Sequence, residues 1–309
     1  MTSTGARVRR RSLLTAAAAT AAAAVVRGQA PASSTAPPVT TLADVPLSDN
    51  ATITVERRDD IVLIGINRTA THNRFDGATR RRMGVVFYAY DRDPSLRAAV
   101  LFGHGDCFSR GIDVDAAQAS FQSGQPAVDP SGTVDILGKA TPPPGKPVVV
   151  VAHGDTWNLG HEIYLACDVR IAAADTEFGQ DENTHGRFPG GGATVRFVRE
   201  AGWGNAMRYM LTGDHWSAEE SYRMGITQLV APTPQAALEA GIGMARKIAA
   251  AAPLSTRATL SSSRHVTTPV EADALAKTNA VYAALYKTED FLEGRRAEAE
   301  GRPPKYRGK

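Results

Sequence analysis

The stretch from Lys146 to Gly192, KPVVVVAHGDTWNLGHEIYLACDVRIAAADTEFGQDENTHGRFPGGG, carries the features that decide the fold. Its run of valines predicts a buried strand, which a Gly-bounded turn and a short helix follow. A second strand and a Gly-rich loop complete the stretch. Two glutamates, Glu162 at the start of the helix and Glu182 just after the second strand, are placed so that the fold can bring both carboxylates to one pocket.

The composition of the whole chain predicts one large globular domain. Its 309 residues are 43% hydrophobic and 22% charged with a net charge of +3, which is enough apolar material to bury a full core. The sequence pI of 8.9 is set largely by basic residues near the two ends. These residues are Arg7, Arg9, Arg10, Arg11, Lys305, Arg307 and Lys309. Because the core is therefore close to neutral, no nucleic-acid partner is predicted.

Residues 1–32 have the pattern of a targeting segment. The basic sequence RRRSLL (Arg9–Leu14) leads into an Ala-rich apolar run, and the small-residue site Ala30-Pro31-Ala32 follows. Paired arginines before Ser-Leu-Leu are typical of a twin-arginine signal, so we expect export to a periplasmic or extracellular location. The apolar run is shorter than the roughly 20 residues of a membrane-spanning helix, so no stable membrane insertion is expected after processing. The alternative is a frayed Ala-rich extension on a cytoplasmic protein.

The rest of the chain divides into three regions. Residues 33–49 are rich in Pro, Ser and Thr and are predicted to be a flexible linker. Residues 50–250 form the predicted core, and residues 251–309 form a helical region expected to cover a neighbouring surface, its own or that of another subunit.

Strand and helix patterns alternate through the core region. ATITVERRDDIVLIGIN predicts a hairpin around Arg58-Asp59-Asp60, and GATRRRMGVVFYAYDRD predicts a helix with one apolar face. The apolar runs LRAAVLFG, PVVVVA and DVRIAAA predict further strands. After Gly192 several helical segments each end in glycine, the usual helix stop. This alternation predicts an α/β fold with a largely parallel sheet.

Neither a resident metal nor a tightly bound cofactor is predicted. Cys107 and Cys167 are the only cysteines, and we interpret them as buried free thiols, with a disulfide as the alternative in an oxidising compartment. The chain has no CxxC pair and no His/Cys cluster with zinc spacing. Because no GxGxxG motif follows the first strand, a nicotinamide enzyme is not expected.

Six separated sequence blocks, in one order over about 250 residues, resemble the crotonase family, also called the enoyl-CoA hydratase/isomerase superfamily. The blocks are THNRFD (71–76), CFSRGIDVD (107–115), GDTWNLGHE (154–162), EFGQDENTHGRFPGGGAT (177–194), LTGDHWSAEESYRMGITQLVA (211–231) and EDFLEGRRAEAEGRPPKYRGK (289–309). The resemblance implies a spiral of ββα units, with C-terminal helices that pack against neighbours in a homotrimer or hexamer.

The same resemblance implies an oxyanion hole, in which two backbone N–H groups hold a thioester oxygen as it becomes an enolate. These donors fall on Ile112, after Gly111, and on Leu159, three residues before Glu162. The position of Leu159 agrees with this role, because a residue at the start of a helix has a free N–H that points along the positive end of the helix dipole.

The two glutamates take roles from the resemblance as well. The carboxylate at Glu162 is expected to orient and deprotonate a water that attacks the β-carbon, while Glu182 exchanges a proton at the α-carbon. One pair can add water in this way if the pocket raises one pKa enough for that carboxyl to hold a proton. The expected activity is therefore hydration or isomerisation of an α,β-unsaturated acyl thioester, with coenzyme A as part of the substrate.

The chain also departs from the family pattern around these glutamates. Asn158-Leu159-Gly160 stands where three glycines are usual, and Arg110 stands where a small residue is usual. Asp181 replaces a proline, and His161 and His185 add imidazoles. One branch of the family hydrolyses carbon–carbon bonds in β-diketones without CoA and uses Asp and His in this region, so Asp181, His185 and His161 are possible alternative catalytic residues.

The predicted export conflicts with a CoA substrate, because CoA thioesters are cytoplasmic metabolites. Either the signal is inefficient or the enzyme acts on a substrate without CoA. A third possibility is a catalytically silent exported binding protein. Substitution of Glu162 and Glu182 would distinguish an enzyme from a binding protein, because the function of a binding protein would not depend on either carboxylate.

Overall fold

A computed structural model describes residues 41–45, 51–117 and 132–309 of the chain. The strands are β1 (Ile53–Arg58), β2 (Ile61–Ile66), β3 (Ala98–Gly103), β4 (Val148–Ala152), β5 (Asp155–Trp157), β6 (Val169–Ala173), β7 (Glu177–Gly179), β8 (Trp216–Ser217) and β9 (Leu229–Ala231). The helices are α1 (Gly77–Arg92), α2 (Leu159–Ala166), α3 (Ala193–Ala201), α4 (Trp203–Thr212), α5 (Ala218–Arg223), α6 (Pro234–Ala249), α7 (Pro253–Leu285) and α8 (Glu289–Glu300).

The main sheet has six strands in the order β1-β2-β3-β4-β6-β9. β1 and β2 form the predicted hairpin, with Arg58 opposite Ile61 and Asp59 at a φ of 56° in the two-residue turn. All other neighbours in this sheet are parallel. The prediction of an α/β fold with a largely parallel sheet is therefore confirmed.

The run of valines in β4 forms the centre of the core because helices cover both faces of the sheet. Side chains alternate in direction along a strand, so Val148 and Val150 pack in the cluster that contains α1 and α2. Val149 and Val151 pack on the opposite face against α6. A strand buried on both sides needs apolar residues at every position, which accounts for the uninterrupted run.

A second sheet of three short strands, in the order β5-β7-β8, was not predicted. Each strand has two or three residues, too few to show an alternating pattern in the sequence. β5 pairs parallel with β7 and ends at Trp157, directly before α2, while β7 ends at Gly179, two residues before Asp181. This small sheet therefore holds the start of α2 beside the segment that contains Glu182.

The predicted helix after the hairpin is confirmed as α1. Asp76 caps it by accepting a hydrogen bond from the Thr79 N–H at 2.7 Å. Its apolar face is buried through Met83, Val86, Phe87 and Tyr90. The helices predicted after Gly192 are also present, and five of them, α3, α4, α6, α7 and α8, are joined by turns of one to three residues to a neighbouring helix.

The C-terminal region is helical as predicted, with α7 extending over 33 residues. Leu254 and Val270 on this helix are 82% and 76% exposed. No helix in the described ranges is both long and apolar enough to cross a membrane. The ββα spiral and the trimeric or hexameric assembly stay predictions.

The predicted signal, residues 1–32, lies outside the described residues. Only residues 41–45 of the predicted linker are described, and these differ from a flexible segment. Leu42–Asp44 forms a 3-10 helix, and Leu42 and Val45 are buried in the main core cluster. Leu42 and Val45 provide apolar surface that can pack on the core, which the Pro, Ser and Thr residues of the predicted linker do not.

Candidate active site

A cavity of about 400 Å³ opens between the start of α2, the segment after β7 and the C-terminal helices. It brings together residues from sequence blocks that are far apart in the chain. Of the residues singled out in the sequence, those that line it are Arg110, Ile112, Asn158, Leu159, Glu162, Asp181, Glu182 and His185. His161 is the one predicted site residue that is absent from the lining.

Glu162 lies in the first turn of α2 and is 1% exposed. Its Oε1 accepts a hydrogen bond from the Ala193 N–H at 3.1 Å, so the carboxylate sits at the N-terminus of α3. Gly191 passes so close that a Cβ at that position would lie 2.2 Å from Glu162 Oε2. Burial raises the pKa of Glu162, although the Ala193 N–H and the Lys139 ammonium oppose the rise.

Glu182 begins a 3-10 helix, Glu182–His185, and is 6% exposed. Its Oε2 is buried and has no hydrogen-bond partner among the described residues. Burial, together with repulsion from the Glu162 carboxylate, raises the pKa of Glu182 well above its ordinary value. The surroundings of the two carboxyls therefore differ. A backbone donor and a nearby cation favour the ionised form of Glu162, whereas burial without a partner for Oε2 and the neighbouring Glu162 charge favour the protonated form of Glu182.

Gly111, the residue before Ile112, packs against the backbone at Leu159. This glycine has a φ of 91°, and a Cβ placed on it would lie 3.3 Å from Leu159 N. Within the described ranges, neither the Ile112 N–H nor the Leu159 N–H donates to a protein acceptor. Two unused N–H donors thus border the cavity that contains both glutamates.

Asn158, which precedes Leu159, adopts backbone angles that residues other than glycine rarely adopt. Its φ is 54° and its ψ is −121°, a conformation that favours glycine. Its side chain forms two hydrogen bonds with Asp181: Nδ2 donates to Asp181 Oδ1 at 2.8 Å, and Oδ1 accepts from Asp181 N at 3.1 Å. The two departures from the family pattern at these positions are therefore in direct contact.

The other oxygen of Asp181 faces two histidines. Oδ2 is 3.5 Å from His185 Nε2 and 3.4 Å from His215 Nε2. Burial on its own raises the pKa of Asp181, but hydrogen bonds from the two imidazoles outweigh it and hold the pKa well below the ordinary value. Asp181, and secondarily Glu177, raise the pKa of His215 to about 9. Asp181 is thus a paired anion, and His215, which the sequence analysis did not single out, is its cationic partner.

His161 points away from the cavity into an aromatic cluster. Its ring lies 5.0 Å from Trp216, 5.2 Å from Phe197 and 5.6 Å from Phe178. Burial lowers the pKa of His161 to about 3. Residues 161 and 162 project in different directions from one helix turn, so adjacency in the sequence did not indicate adjacency in the site.

Arg110, the bulky residue in the loop before Ile112, is held at the cavity wall. Its Nε donates to Asp155 Oδ2 at 2.5 Å, and its guanidinium lies 4.9 Å from the ring centre of Trp157. Both partners belong to β5. The second sheet therefore provides the surface against which this side chain packs.

Lys139 is a cavity residue that the sequence analysis missed. Its Nζ donates to Gly190 O at 2.5 Å and lies 5.3 Å from the ring centre of Tyr282. Burial lowers the pKa of Lys139 to about 8, which the Glu162 carboxylate opposes. No sequence signal could have found it, because a lysine between Gly138 and Ala140 belongs to none of the six blocks.

Possible metal ligands lie outside this cavity. Ligand atoms of His72, Asp106 and Cys107 are within 4.8 Å of one another. Burial, and secondly the Asp106 charge, raise the pKa of the Cys107 thiol to about 12, which disfavours the thiolate that binds metals. Cys107 and Cys167 are both buried free thiols, as predicted.

Comparisons with known proteins agree with this geometry. A family model described as enoyl-CoA hydratase/isomerase matches residues 56–309. An enoyl-CoA hydratase of Mycobacterium tuberculosis is 32% identical over 260 residues, covering 82% of this chain and 96% of that protein. The (E)-benzylidenesuccinyl-CoA hydratase of Thauera aromatica is 31% identical over 266 residues, covering 83% of this chain and 99% of that protein.

Solved structures show the same relationship. A probable enoyl-CoA hydratase/isomerase from Mycobacterium abscessus is 36% identical with a TM-score of 0.68, and the match covers 84% of this chain and 100% of that one. A carnitinyl-CoA hydratase from Mycobacterium avium is 29% identical with a TM-score of 0.74, covering 84% and 99%. The chain therefore belongs to the enoyl-CoA hydratase/isomerase family, within the crotonase superfamily.

Proposed function

We propose that this enzyme adds water across the double bond of an α,β-unsaturated acyl-CoA thioester. The observation that carries the proposal is a pair of buried carboxyls, Glu162 and Glu182, which face one cavity in different surroundings: Glu162 has a backbone donor, and Glu182 has an oxygen without a partner among the described residues. Ionised Glu162 takes a proton from a water, whose oxygen bonds to the β-carbon. Protonated Glu182 delivers a proton to the α-carbon. Its unpartnered Oε2 leaves an oxygen available for that transfer.

The negative charge that develops on the thioester oxygen needs donors that are already in place. The N–H groups of Ile112 and Leu159 meet this need, because both are unused among the described residues and are brought together at Gly111. Removing one such donor from an enzyme typically costs about 10²- to 10³-fold in rate. We therefore assign these two groups as the oxyanion hole.

Coenzyme A is the proposed carrier of the acyl group. The named relatives are hydratases of CoA esters, and these names do not favour a β-diketone hydrolase or a silent binding protein. Arginines line the cavity, and Arg74 among them is exposed and available to a CoA phosphate. Asp181, the carboxylate considered for the hydrolase, is already bound by Asn158 through Oδ1 and by His215 as well as His185 through Oδ2.

A screen of purified protein against trans-2-enoyl-CoA esters of increasing chain length tests the proposal. We expect the conjugated enoyl absorbance to fall for at least one ester, with a product heavier by one water. An unchanged mass with a shifted double bond would instead identify an isomerase. If no ester is consumed and calorimetry detects no binding of CoA esters, the proposed function is wrong.

Lys139 is expected to set the acid side of the pH–rate profile. Activity falls as Glu162 becomes protonated, and the Lys139 ammonium holds the pKa of Glu162 down. Lys139→Met removes this attraction, so the acidic limb of kcat/KM should move to higher pH. Lys139→Arg, which keeps the charge, is the matched control. A profile that is the same in wild type and Lys139→Met would contradict the assignment of Glu162 as the base.

We further propose that residues 1–32 direct export through the twin-arginine route. A reporter fused after Ala32 tests this, because replacing Arg10 and Arg11 by lysine should abolish its appearance outside the cytoplasm. Equal export of the two fusions would contradict a twin-arginine signal. A cytoplasmic wild-type fusion would remove the conflict with a CoA substrate.

A further inference from the structure

We propose that Asp181 is a positioning residue that fixes Asn158 and, through it, the direction of the Leu159 N–H. The inference rests on the proposed function, because it concerns the same oxyanion hole. It assigns a role to the two residues that depart from the family pattern and contact each other. Neither residue supplies a proton or a nucleophile in this proposal.

The backbone of Asn158 decides where the Leu159 N–H points. The peptide bond between the two residues is planar, so the ψ angle of Asn158 sets the orientation of the following N–H. With a φ of 54° and a ψ of −121°, Asn158 occupies a region that residues with a Cβ rarely adopt. Such a conformation persists only where surrounding contacts hold it.

Those contacts come from the segment that leads to Glu182. The Asn158 N–H donates to Gly179 O at 2.8 Å, and Asn158 O accepts from Gln180 Nε2 at 2.9 Å. The side chain adds the two hydrogen bonds with Asp181, one to its carboxylate and one from its backbone N–H. Every polar group of Asn158 is therefore bonded to residues 179–181 or to α2.

Asp181 is itself held on its far side. Oδ1 accepts from Asn158, while Oδ2 faces His185 and His215, so the carboxylate has partners on both oxygens. His215 is fixed in turn by Glu177, whose Oε1 is 2.8 Å from Nδ1. The chain of contacts runs from the small second sheet, through Asp181, to the residue before the oxyanion donor.

A double-mutant cycle tests the inference. We expect Asp181→Ala to lower kcat for enoyl-CoA hydration by about 10- to 100-fold, with KM changed less than about threefold, because the donor acts on the transition state. Glycine adopts the backbone angles of position 158 without side-chain support. In the Asn158→Gly background, Asp181→Ala should therefore cost less than about threefold.

The controls separate positioning from general damage. Asp214→Ala, which removes the exposed aspartate that precedes His215, should leave kcat and KM unchanged. Asp181→Asn, which keeps an acceptor for Asn158 Nδ2 but loses the charge, should retain most of the wild-type kcat. If Asp181→Ala does not fold, Asn158→Ala removes the same side-chain hydrogen bonds from the other partner. It should lower kcat by about 10- to 100-fold, and an unchanged kcat would overturn the inference. Circular dichroism of every variant checks folding.

The outcomes distinguish this inference from the proposed function. An equal loss of kcat on removing Asp181 in both backgrounds would overturn the inference and leave the hydratase assignment in place. A loss confined to KM would overturn it as well. A wild type without turnover on any enoyl-CoA ester would overturn the proposed function, and this inference with it.

Discussion

Glu182→Gln is expected to lower kcat for enoyl-CoA hydration by about 10²- to 10⁴-fold while KM changes little. Glutamine preserves the shape of the side chain but has no transferable acidic proton. Burial and the Glu162 charge raise the pKa of Glu182 well above its ordinary value, so in the proposed mechanism Glu182 holds the proton that the α-carbon receives. Glu162→Gln should cause a loss of similar size because the attacking water then lacks a base.

Single-turnover and steady-state rates of both variants check this expectation. Glu219→Gln is the matched control, because Glu219 is exposed on α5 and its substitution should leave the rate unchanged. The double variant should lose little more than either single variant, since the two carboxyls act in one step. Retention of more than about a tenth of the wild-type kcat by either single variant would contradict the acid/base assignment.

Gly111→Ala is expected to lower kcat by about 10²- to 10³-fold, the effect of losing one oxyanion donor. A Cβ at this position would lie 2.9 Å from Asn158 Cβ, 3.1 Å from Trp157 O and 3.3 Å from Leu159 N. The backbone must shift to relieve these contacts, and the shift separates the two N–H groups. The loss should appear in kcat more than in KM.

Gly202→Ala is the control for Gly111→Ala. Gly202 also has a positive φ, 77°, but a Cβ there would meet no atom within 4 Å. The Gly202→Ala variant therefore measures the loss of stability from placing a residue with a Cβ at a positive φ, without steric contact at the cavity. We expect a lower melting temperature with an unchanged kcat. Equal rates for Gly111→Ala and wild type would show that Ile112 and Leu159 do not form the oxyanion hole.

Much of the fold could be predicted from local sequence patterns. The valines of β4 need apolar neighbours on both faces, and the turn at Asp59 needs a short polar residue, so both leave a clear signal. The second sheet left no signal because its strands are two or three residues long. The burial of Leu42 and Val45 could not be predicted, because these two apolar residues lie in a segment that is otherwise rich in Pro, Ser and Thr.

The glutamates and backbone donors could be predicted because each lies at a fixed place in one of the sequence blocks. All of them line one cavity. The contacts between blocks could not be predicted in this way. The Asn158–Asp181 pair spans 23 residues, and His215 joins it from 34 residues beyond Asp181. His161 shows the converse: it is adjacent to Glu162 in sequence but buried among aromatic rings. Such long-range partners depend on packing, which no local pattern records.

The origin of the oxygen in the product tests the central claim most directly. A trans-2-enoyl-CoA ester is incubated with the purified protein in water enriched in heavy oxygen, and the product is analysed by mass spectrometry. We predict a 3-hydroxyacyl-CoA that carries one heavy oxygen on the β-carbon, formed by wild type and lost with Glu162→Gln. A product of unchanged mass with a moved double bond, or the same yield of labelled product from Glu162→Gln, would contradict water addition by this pair of glutamates.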